Sequence, residues 1–439
     1  MADLESRKLH FIAIGGAGMS GLALVAHARG AQVSGSDRAE SSYLKRLAAA
    51  GLEPRVGHDP DAVPADAEVV VSTAVGEDNP ELIRARERGQ RVIHRGELLA
   101  ELCASKRLLA VAGTHGKTTT AGMLVHALRA IGADPAFFLG GELPDAAGDG
   151  DPANAGWGSG DWVVAEADES DGSFLELRPE VAIVTNVELD HHARWHSRRE
   201  LLEAFRDFVV PARGLALGAA AELDQVAAAA GEREVVRFDA VTPGPEQLEL
   251  AVPGAHNQAN ARGAIAAAGL CGFDTDGFAA ALGSFPGMVR RLERKGRHRS
   301  GALVYDDYAH HPTEVEAGLG ALRELEPGRL VAVFQPHLYS RTKALAARFG
   351  RALAAADVVG VLDVYAAREE PVGALAGVSG LDVARAAADH SGGREVMWLR
   401  EPDTARRRLD AMLRPTDLLV TIGAGDVYVV ADALVEEAA

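Results

Sequence analysis

Ala110-Val-Ala-Gly-Thr-His-Gly-Lys-Thr-Thr-Thr120 is the stretch whose reading settles the architecture. The apolar residues 108–112 read as a buried strand. Gly113 to Gly116 then turns the chain, and Lys117 and Thr118 open a helix. A strand that runs through glycines into a helix N-terminus suits nucleotide phosphates. Backbone N–H groups can approach the oxygens, the helix dipole favours negative charge, Lys117 adds a cation, and the Thr118 hydroxyl can ligate Mg²⁺. The loop is shorter than the usual G-x-x-x-x-G-K-[ST], because only Gly113-Thr114-His115 precedes Gly116.

On either side of this loop, strand-like and helix-like segments alternate almost throughout the 439 residues. Such alternation predicts an α/β protein with parallel sheets and helices on both faces. The length calls for more than one core, and three domains are expected: 1–106, 107–287 and 288–439. With 47% hydrophobic and 25% charged residues, the composition is that of an ordinary globular chain. No apolar run reaches the roughly 18 residues a membrane span needs, so no stable membrane association is expected. Residues 1–8 are charged and carry no signal-like apolar region. The two cysteines, Cys103 and Cys271, sit in apolar contexts. Together these point to a reduced, cytoplasmic location. A net charge of −18 argues against nucleic acid as a partner. One basic cluster interrupts the acidity: Arg290, Arg291, Arg294, Lys295, Arg297 and Arg299, just after Pro286-Gly287. It is either a solvated face or a hinge that carries an arginine to a bound phosphate.

A second glycine loop lies near the N-terminus. Gly16-Ala-Gly18-Met-Ser20-Gly21 follows a strand at 10–14 and precedes a helix, and Asp37 ends the next strand, where a ribose-binding acid belongs. The pattern selects a diphosphate, whether of a dinucleotide or of a UDP-sugar. Two phosphate loops in one chain imply two phosphorylated substrates.

Four acids then occur within six residues, Glu166-Ala-Asp-Glu-Ser-Asp171, after an expected strand at 162–166. They suit Mg²⁺, with Glu166 the expected ligand. Asp190-His191-His192 follows another strand, so His191 is a candidate for a second metal or for orienting a water. His256-Asn257-Gln-Ala-Asn260 precedes a helix and either binds nucleotide or caps it. Further on, residues 305–313 and 335–342 end two strands with Tyr308, His310, His311, His337 and Arg341, a plausible acceptor pocket at the carboxyl edge of a sheet. Two expectations concern regularity rather than chemistry. Residues 216–230 are Ala-rich and read as helix, and residues 141–160, rich in Gly, Asp, Ala and Pro, read as a surface loop.

Taken together, Gly15-Gly-Ala-Gly-Met-Ser-Gly21, Gly113-Thr-His-Gly-Lys-Thr-Thr119, Glu166-Ala-Asp-Glu-Ser-Asp171, His256-Asn-Gln-Ala-Asn260, Arg290-Arg291, Asp306-Asp-Tyr-Ala-His-His-Pro-Thr313 and Gln335-Pro-His337 with Ser340-Arg-Thr342 closely resemble the Mur ligases of peptidoglycan precursor synthesis. The resemblance runs from about residue 9 to 430. It implies an N-terminal Rossmann-like UDP-binding domain, a central ATPase domain and a C-terminal Rossmann-like domain. It also implies amide-bond formation through an acyl phosphate, with ATP and Mg²⁺, on UDP-N-acetylmuramate and L-alanine as substrates.

By that resemblance the ATP residues are Gly113, Thr114, His115, Gly116, Lys117, Thr118, Thr119, His256, Asn257, Asn260, Arg291 and Asp307. Thr118, Glu166 and His191 are the metal residues. Lys117, Glu166, His191, Asn260 and His337 are the catalytic group. Gly16, Gly18, Ser20, Asp37 and Ser72 bind the UDP part, and Tyr308, His337 and Arg341 the amino acid. A monomer or weak homodimer is expected. This chain departs from the family in having Leu338 where an arginine is usual, no further Asp after Asp190-His191, and a short segment at 212–248. Three other readings stay open at this point: ligation of a preformed tripeptide, a non-catalytic UDP-sugar sensor, and a nicotinamide-dependent oxidoreductase.

Overall fold

The structure is a computed structural model and describes residues 4–144, 153–188, 194–239, 248–367 and 369–435. The chain divides into two compact units, residues 1–250 with 258–286 and residues 251–257 with 287–439.

The first unit holds two sheets. The N-terminal one comprises β1 (Lys8–Ile12), β2 (Gln32–Asp37), β3 (Arg55–Val56), β4 (Glu68–Val71) and β5 (Val92–His94), with α1 (Ala17–Ala28), α2 (Ser42–Ala49), α3 (Pro80–Glu87) and α4 (Arg95–Cys103) between them. Its strands are parallel in the order β3-β2-β1-β4-β5. The order reverses between β1 and β4, so the crevice beyond their carboxyl ends is where such sheets take ligands. Local chemistry sets the helix starts: Ser41 caps α2, and Asn79 followed by Pro80 caps α3.

The second sheet contains β6 (Arg107–Ala112), then after α5 (Lys117–Ala130) β7 (Ala136–Leu143), β8 (Ala153–Gly156), β9 (Trp162–Glu166) and β10 (Val181–Val184). It continues through α6 (Arg198–Val209), β11 (Gly214–Gly218), α7 (Asp224–Ala228) and β12 (Glu234–Phe238), and is followed by α8 (Ala255–Leu270) and α9 (Thr275–Leu282). The order is β12-β11-β10-β6-β9-β7-β8, parallel except for the β7–β8 pair. β6 lies at the centre with Leu109, Ala110, Val111 and Ala112 fully buried, so the loop that follows it is anchored by a strand with neighbours on both sides. On one face α6 presents Leu201, Leu202, Phe205, Phe208 and Val209, and Phe205 and Phe208 pack on Phe174.

Two expectations about this region fail. Residues 216–230 are not one helix, because Leu215, Ala216 and Leu217 are fully buried in β11 between β10 and β12. Alanine's helical preference, at most about 0.7 kcal/mol per residue over ordinary residues, yields to burial on both faces of a parallel sheet. Residues 141–160 are not all loop either, since Ala153–Gly156 forms β8 and pairs with β7.

In the second unit the order is β13-β14-β18-β15-β16-β17, parallel except for β13–β14. The elements are β13 (Glu293–Arg297), β14 (Leu303–Asp307), α10 (Pro312–Arg323), β15 (Arg329–Phe334), α11 (Tyr339–Leu353), β16 (Val358–Leu362), α12 (Gly380–His390), β17 (Glu395–Arg400), α13 (Pro402–Met412), β18 (Asp417–Ile422) and α14 (Tyr428–Leu434). Cores on both faces sandwich this sheet, one around Phe334 and Phe349 and the other around Val331, Leu362 and Leu419. The edge strand β13 is charged and half-exposed, so apolar patterning does not announce it, and the opposite edge strand β17 is a run of only four apolar residues between the charged, exposed Glu395 and Arg400. Among the described residues no helix is long and apolar enough to cross a membrane.

Candidate functional site

The loop after β6 is shaped by two glycines at positive φ, where any side chain would be strained. Gly113 has φ +124°, and a Cβ there would lie 2.1 Å from Thr185 Oγ1. Gly116 has φ +82° and caps α5 in the left-handed region, with a Cβ position 2.5 Å from Asn260 Oδ1. Polar groups from the β10 edge lock the loop from outside. The His115 N–H donates to Asn186 Oδ1 at 2.9 Å, and the His115 carbonyl accepts from Thr185 Oγ1 at 2.6 Å and Asn186 Nδ2 at 3.0 Å. Thr114 Oγ1 exchanges hydrogen bonds with the Glu188 backbone, and His115 Nε2 lies 3.2 Å from Glu188 Oε2.

Lys117 opens α5 and folds back over the loop. Its Nζ donates to the Gly113 carbonyl at 2.6 Å, the Thr114 carbonyl at 3.2 Å and Glu169 Oε2 at 2.9 Å. Burial works against the ammonium, but the nearby Glu169, Asp168 and Glu166 outweigh it and hold its pKa above the ordinary lysine value. Next to it, Thr118 Oγ1 lies 3.0 and 2.9 Å from the two Glu166 oxygens, and the Gly140 N–H donates to Glu166 Oε2 at 2.7 Å. Burial raises the Glu166 carboxyl above its ordinary pKa. Asp168 behaves oppositely: burial would raise it, yet Lys117 and Ser170 hold it low.

A hydroxyl and a carboxylate, both hard oxygen donors, form the set Mg²⁺ takes together with phosphate oxygens and water. Glu169 Oε1, buried without a hydrogen-bond partner, adds an acceptor beside them. The residues present therefore fit a phosphate-bound divalent cation. Glu169, which pairs with Lys117, was not singled out from the sequence. Its signal was the spacing of three residues from Glu166 within the acidic run. His191 lies outside the described residues. Asn260 is buried and reaches Gly116, and Thr119 is half-buried on α5.

At the other loop of this unit, Gly16 is the N-cap of α1, no side chain caps it, and no acid lies in its first turn. That leaves an uncompensated helix N-terminus. Asp37, at the end of β2, accepts the Gly15 N–H at 2.9 Å and so fixes the loop's entry. Ser20 is buried and donates to the Ala17 carbonyl at 3.0 Å. Ser72 follows β4, on the opposite side of the switch point from Gly16 and Gly18. Beneath the loop, fully buried Glu81 accepts from Ser36 Oγ at 2.6 Å and the Asp59 N–H at 2.9 Å, with His10 Nε2 3.4 Å away.

In the second unit, the carboxyl ends of β14 and β15 gather the remaining candidates. Arg290 and Arg291 lie over the Tyr308 ring at 5.0 and 5.2 Å. His310 meets Tyr308 edge-on at 5.6 Å and His337 at 6.5 Å, and His337 stacks on Tyr365 at 5.7 Å. Tyr365, beyond β16, was not anticipated, because an isolated tyrosine after a strand carries no pattern. Burial drives Asp307 up to about 7 against the pull of Arg291, and drives His310 down to about 4. Arg341 is half-buried on α11 and acts electrostatically on His310.

The basic cluster is mostly neutralised locally. Arg290 binds Asp306 at 2.9 Å, Lys295 binds Asp432 at 2.9 Å, and Arg299 binds Asp410 at 2.9 Å. Arg291, whose nearest carboxylate is Glu314 at 3.9 Å, is held least closely of these. Leu338 occupies φ +68° and donates its N–H to the Tyr365 carbonyl at 3.0 Å. His256 and Asn257 lie in the first turn of α8, where Asn257 Nδ2 donates to the Pro253 carbonyl at 2.7 Å and burial lowers the His256 pKa.

Comparison with known proteins gives a consistent result. Three family descriptions match along the chain: "Mur ligase family, catalytic domain" over residues 8–107, "Mur ligase middle domain" over 111–218, and "Mur ligase, glutamate ligase domain" over 290–425. The UDP-N-acetylmuramate–L-alanine ligase of Kineococcus radiotolerans is 46% identical, with 96% of this chain and 94% of that protein covered. The enzyme of the same name from Renibacterium salmoninarum is 44% identical over 96% and 93%. Among solved structures, the UDP-N-acetylmuramate-alanine ligase of Thermotoga maritima superposes with a TM-score of 0.82 at 28% identity, covering 97% of this chain and 98% of that one.

Proposed function

The chain belongs to the Mur ligase family, and on that premise we propose that it joins L-alanine to the lactyl carboxylate of UDP-N-acetylmuramate at the expense of ATP, in peptidoglycan precursor synthesis. The observation that carries this reading is the pairing of Lys117 with Glu169 and of Thr118 with Glu166 around one glycine loop. A second, uncapped helix N-terminus at Gly16 supplies the site for a nucleotide-sugar diphosphate. Relatives of this name at 46% and 44% identity support the choice of L-alanine over a tripeptide.

In the proposed reaction the lactyl carboxylate oxygen bonds to the γ-phosphorus of ATP, and the β–γ bridging bond breaks to release ADP. The alanine amine then attacks the acyl carbon, the carbon–oxygen bond to phosphate breaks, and the amine loses a proton. Neither step needs a covalent nucleophile from the protein. Both need neutralised charge and fixed geometry. Lys117 would meet the β- and γ-phosphates with the ammonium it now points at the loop carbonyls. Thr118 and Glu166 would hold Mg²⁺, which when bound neutralises phosphate charge. The α1 N-terminus, with Asp37 bracing its loop, would bind the UDP diphosphate. In the second unit, Arg291 and Asp307 would serve the nucleotide, and Tyr308, His337 and Arg341 the amino acid.

The acyl phosphate makes a direct test. UDP-N-acetylmuramate labelled with ¹⁸O in its lactyl carboxylate should transfer one ¹⁸O to the inorganic phosphate formed with L-alanine. Amide product accompanied by unlabelled phosphate would refute this route.

A further inference from the structure

Arg95 is the first residue of α4 and belongs to none of the motifs described above. His94 caps that helix and closes a capping box with Glu97, so the backbone at Arg95 is held in place. Arg95 Nη2 lies 2.7 Å from Asp171 Oδ2 and 3.8 Å from Asp168 Oδ2. On the glycine-loop side, a Cβ built on Gly18 would sit 3.3 Å from Arg95 Nη1. Gly18 belongs to the first turn of α1, where we place the diphosphate. Asp168 lies two residues beyond Glu166 and acts electrostatically on Lys117. One guanidinium thus stands between the two phosphate loops, within a single compact unit.

The carboxylate side is also built rather than incidental. Asp171 is almost wholly buried, and its Oδ1 accepts the Ser173 N–H at 2.9 Å. Close packing of Gly96 against Ser173 leaves no room for a Cβ, which fixes the α4 terminus against the acidic run. Arg95 itself keeps about a fifth of its side chain accessible, so a ligand can reach it.

We propose that Arg95 couples the two phosphate sites, shared between the nucleotide-sugar diphosphate and the Asp168–Asp171 carboxylates, so that filling either site strengthens binding at the other. The identities of the two ligands rest on the function proposed above. The physical basis is competition for one planar donor set. A guanidinium drawn toward a diphosphate neutralises Asp168 and Asp171 less completely. The field beside Glu166 and Thr118 then becomes more negative, which favours a divalent cation arriving with its nucleotide. By linkage the effect is the same in both directions.

Calorimetry of the whole protein tests this. UDP-N-acetylmuramate is titrated with and without Mg²⁺ and a non-hydrolysable ATP analogue, and the analogue with and without UDP-N-acetylmuramate. In the wild type each ligand should tighten the other about fivefold or more, the lower range of typical site-to-site coupling. In Arg95→Ala that ratio should fall to near one, with the Mg²⁺–analogue alone binding at least as tightly as it does to the wild type, since Asp168 and Asp171 are then unneutralised throughout. Asp171→Asn should lose it too, and decides the matter if Arg95→Ala does not fold. A purely structural role would weaken both affinities and leave their ratio intact. A wild-type ratio of one, or an unchanged ratio in either folded variant, overturns the proposal. Repeating the titration with UDP, which carries the same diphosphate, keeps the result independent of whether L-alanine is the acceptor.

Discussion

Lys117 makes three hydrogen bonds in this structure, all to its own loop or to Glu169. Each is one that a phosphate oxygen could replace. Lys117→Ala should therefore cut ligation by about 10²-fold or more, in line with the loss of one charge-stabilising donor. Affinity for UDP-N-acetylmuramate, measured by calorimetry, should change little, and a large loss in a folded variant would contradict the separation of the two phosphate sites. Asp37 is the mirror case. It braces Gly15 through a charged hydrogen bond, the kind that contributes about 1.5–3 kcal/mol. Asp37→Ala should weaken the UDP substrate about tenfold or more and leave the ATP analogue unaffected. Equal loss of both ligands would remove Asp37 from the UDP site. At this scale the sequence was legible wherever chemistry and spacing coincide, as at Lys117, Thr118, Glu166 and Asp37. It marked Glu169 only as one of four acids and Arg95 not at all, because their partners depend on which strand end or helix start lies opposite, and only the fold supplies that.

Elements carry the next layer of the account. The β6 loop works because Gly116 turns in the left-handed region against Asn260 of α8. Gly116→Ala should cost about 1–3 kcal/mol from backbone strain alone, with a further shift of Asn260, and should weaken the ATP analogue more than the UDP substrate. Chemical denaturation and two titrations check this, and a variant with wild-type stability and affinity would contradict the strained turn. Strands were legible where they are fully buried, as in β6, β9, β15 and β18, because an unbroken apolar run has little other use. They were hidden where composition pointed elsewhere. β11 is written in Gly, Leu and Ala, which read equally as helix, β13 is an edge strand whose charges erase the pattern, and β17 offers only four apolar residues between two charges.

Three sheets across two compact units carry the whole, and each puts its candidate residues at strand carboxyl ends, the placement expected of open parallel sheets. That regularity is why the α/β architecture could be read from alternation alone. Stability of the second unit should carry a signature of its own. Burial holds Asp307 near 7, well above the ordinary 3.8. Between those values the folded chain keeps a proton that the unfolded chain releases, so stability falls as pH rises from about 4 to about 7. Asp307→Asn should flatten that fall in the thermal midpoint of the second unit, and an unchanged slope would place the titration elsewhere.

The central claim is the acceptor. Phosphate release from ATP should be measured with Mg²⁺ and UDP-N-acetylmuramate while L-alanine, glycine, L-serine or the tripeptide is added in turn, with product masses read in parallel. We expect release that depends on L-alanine and a product heavier than the substrate by one alanyl residue. Release only with the tripeptide, or none with any acceptor, would contradict the account.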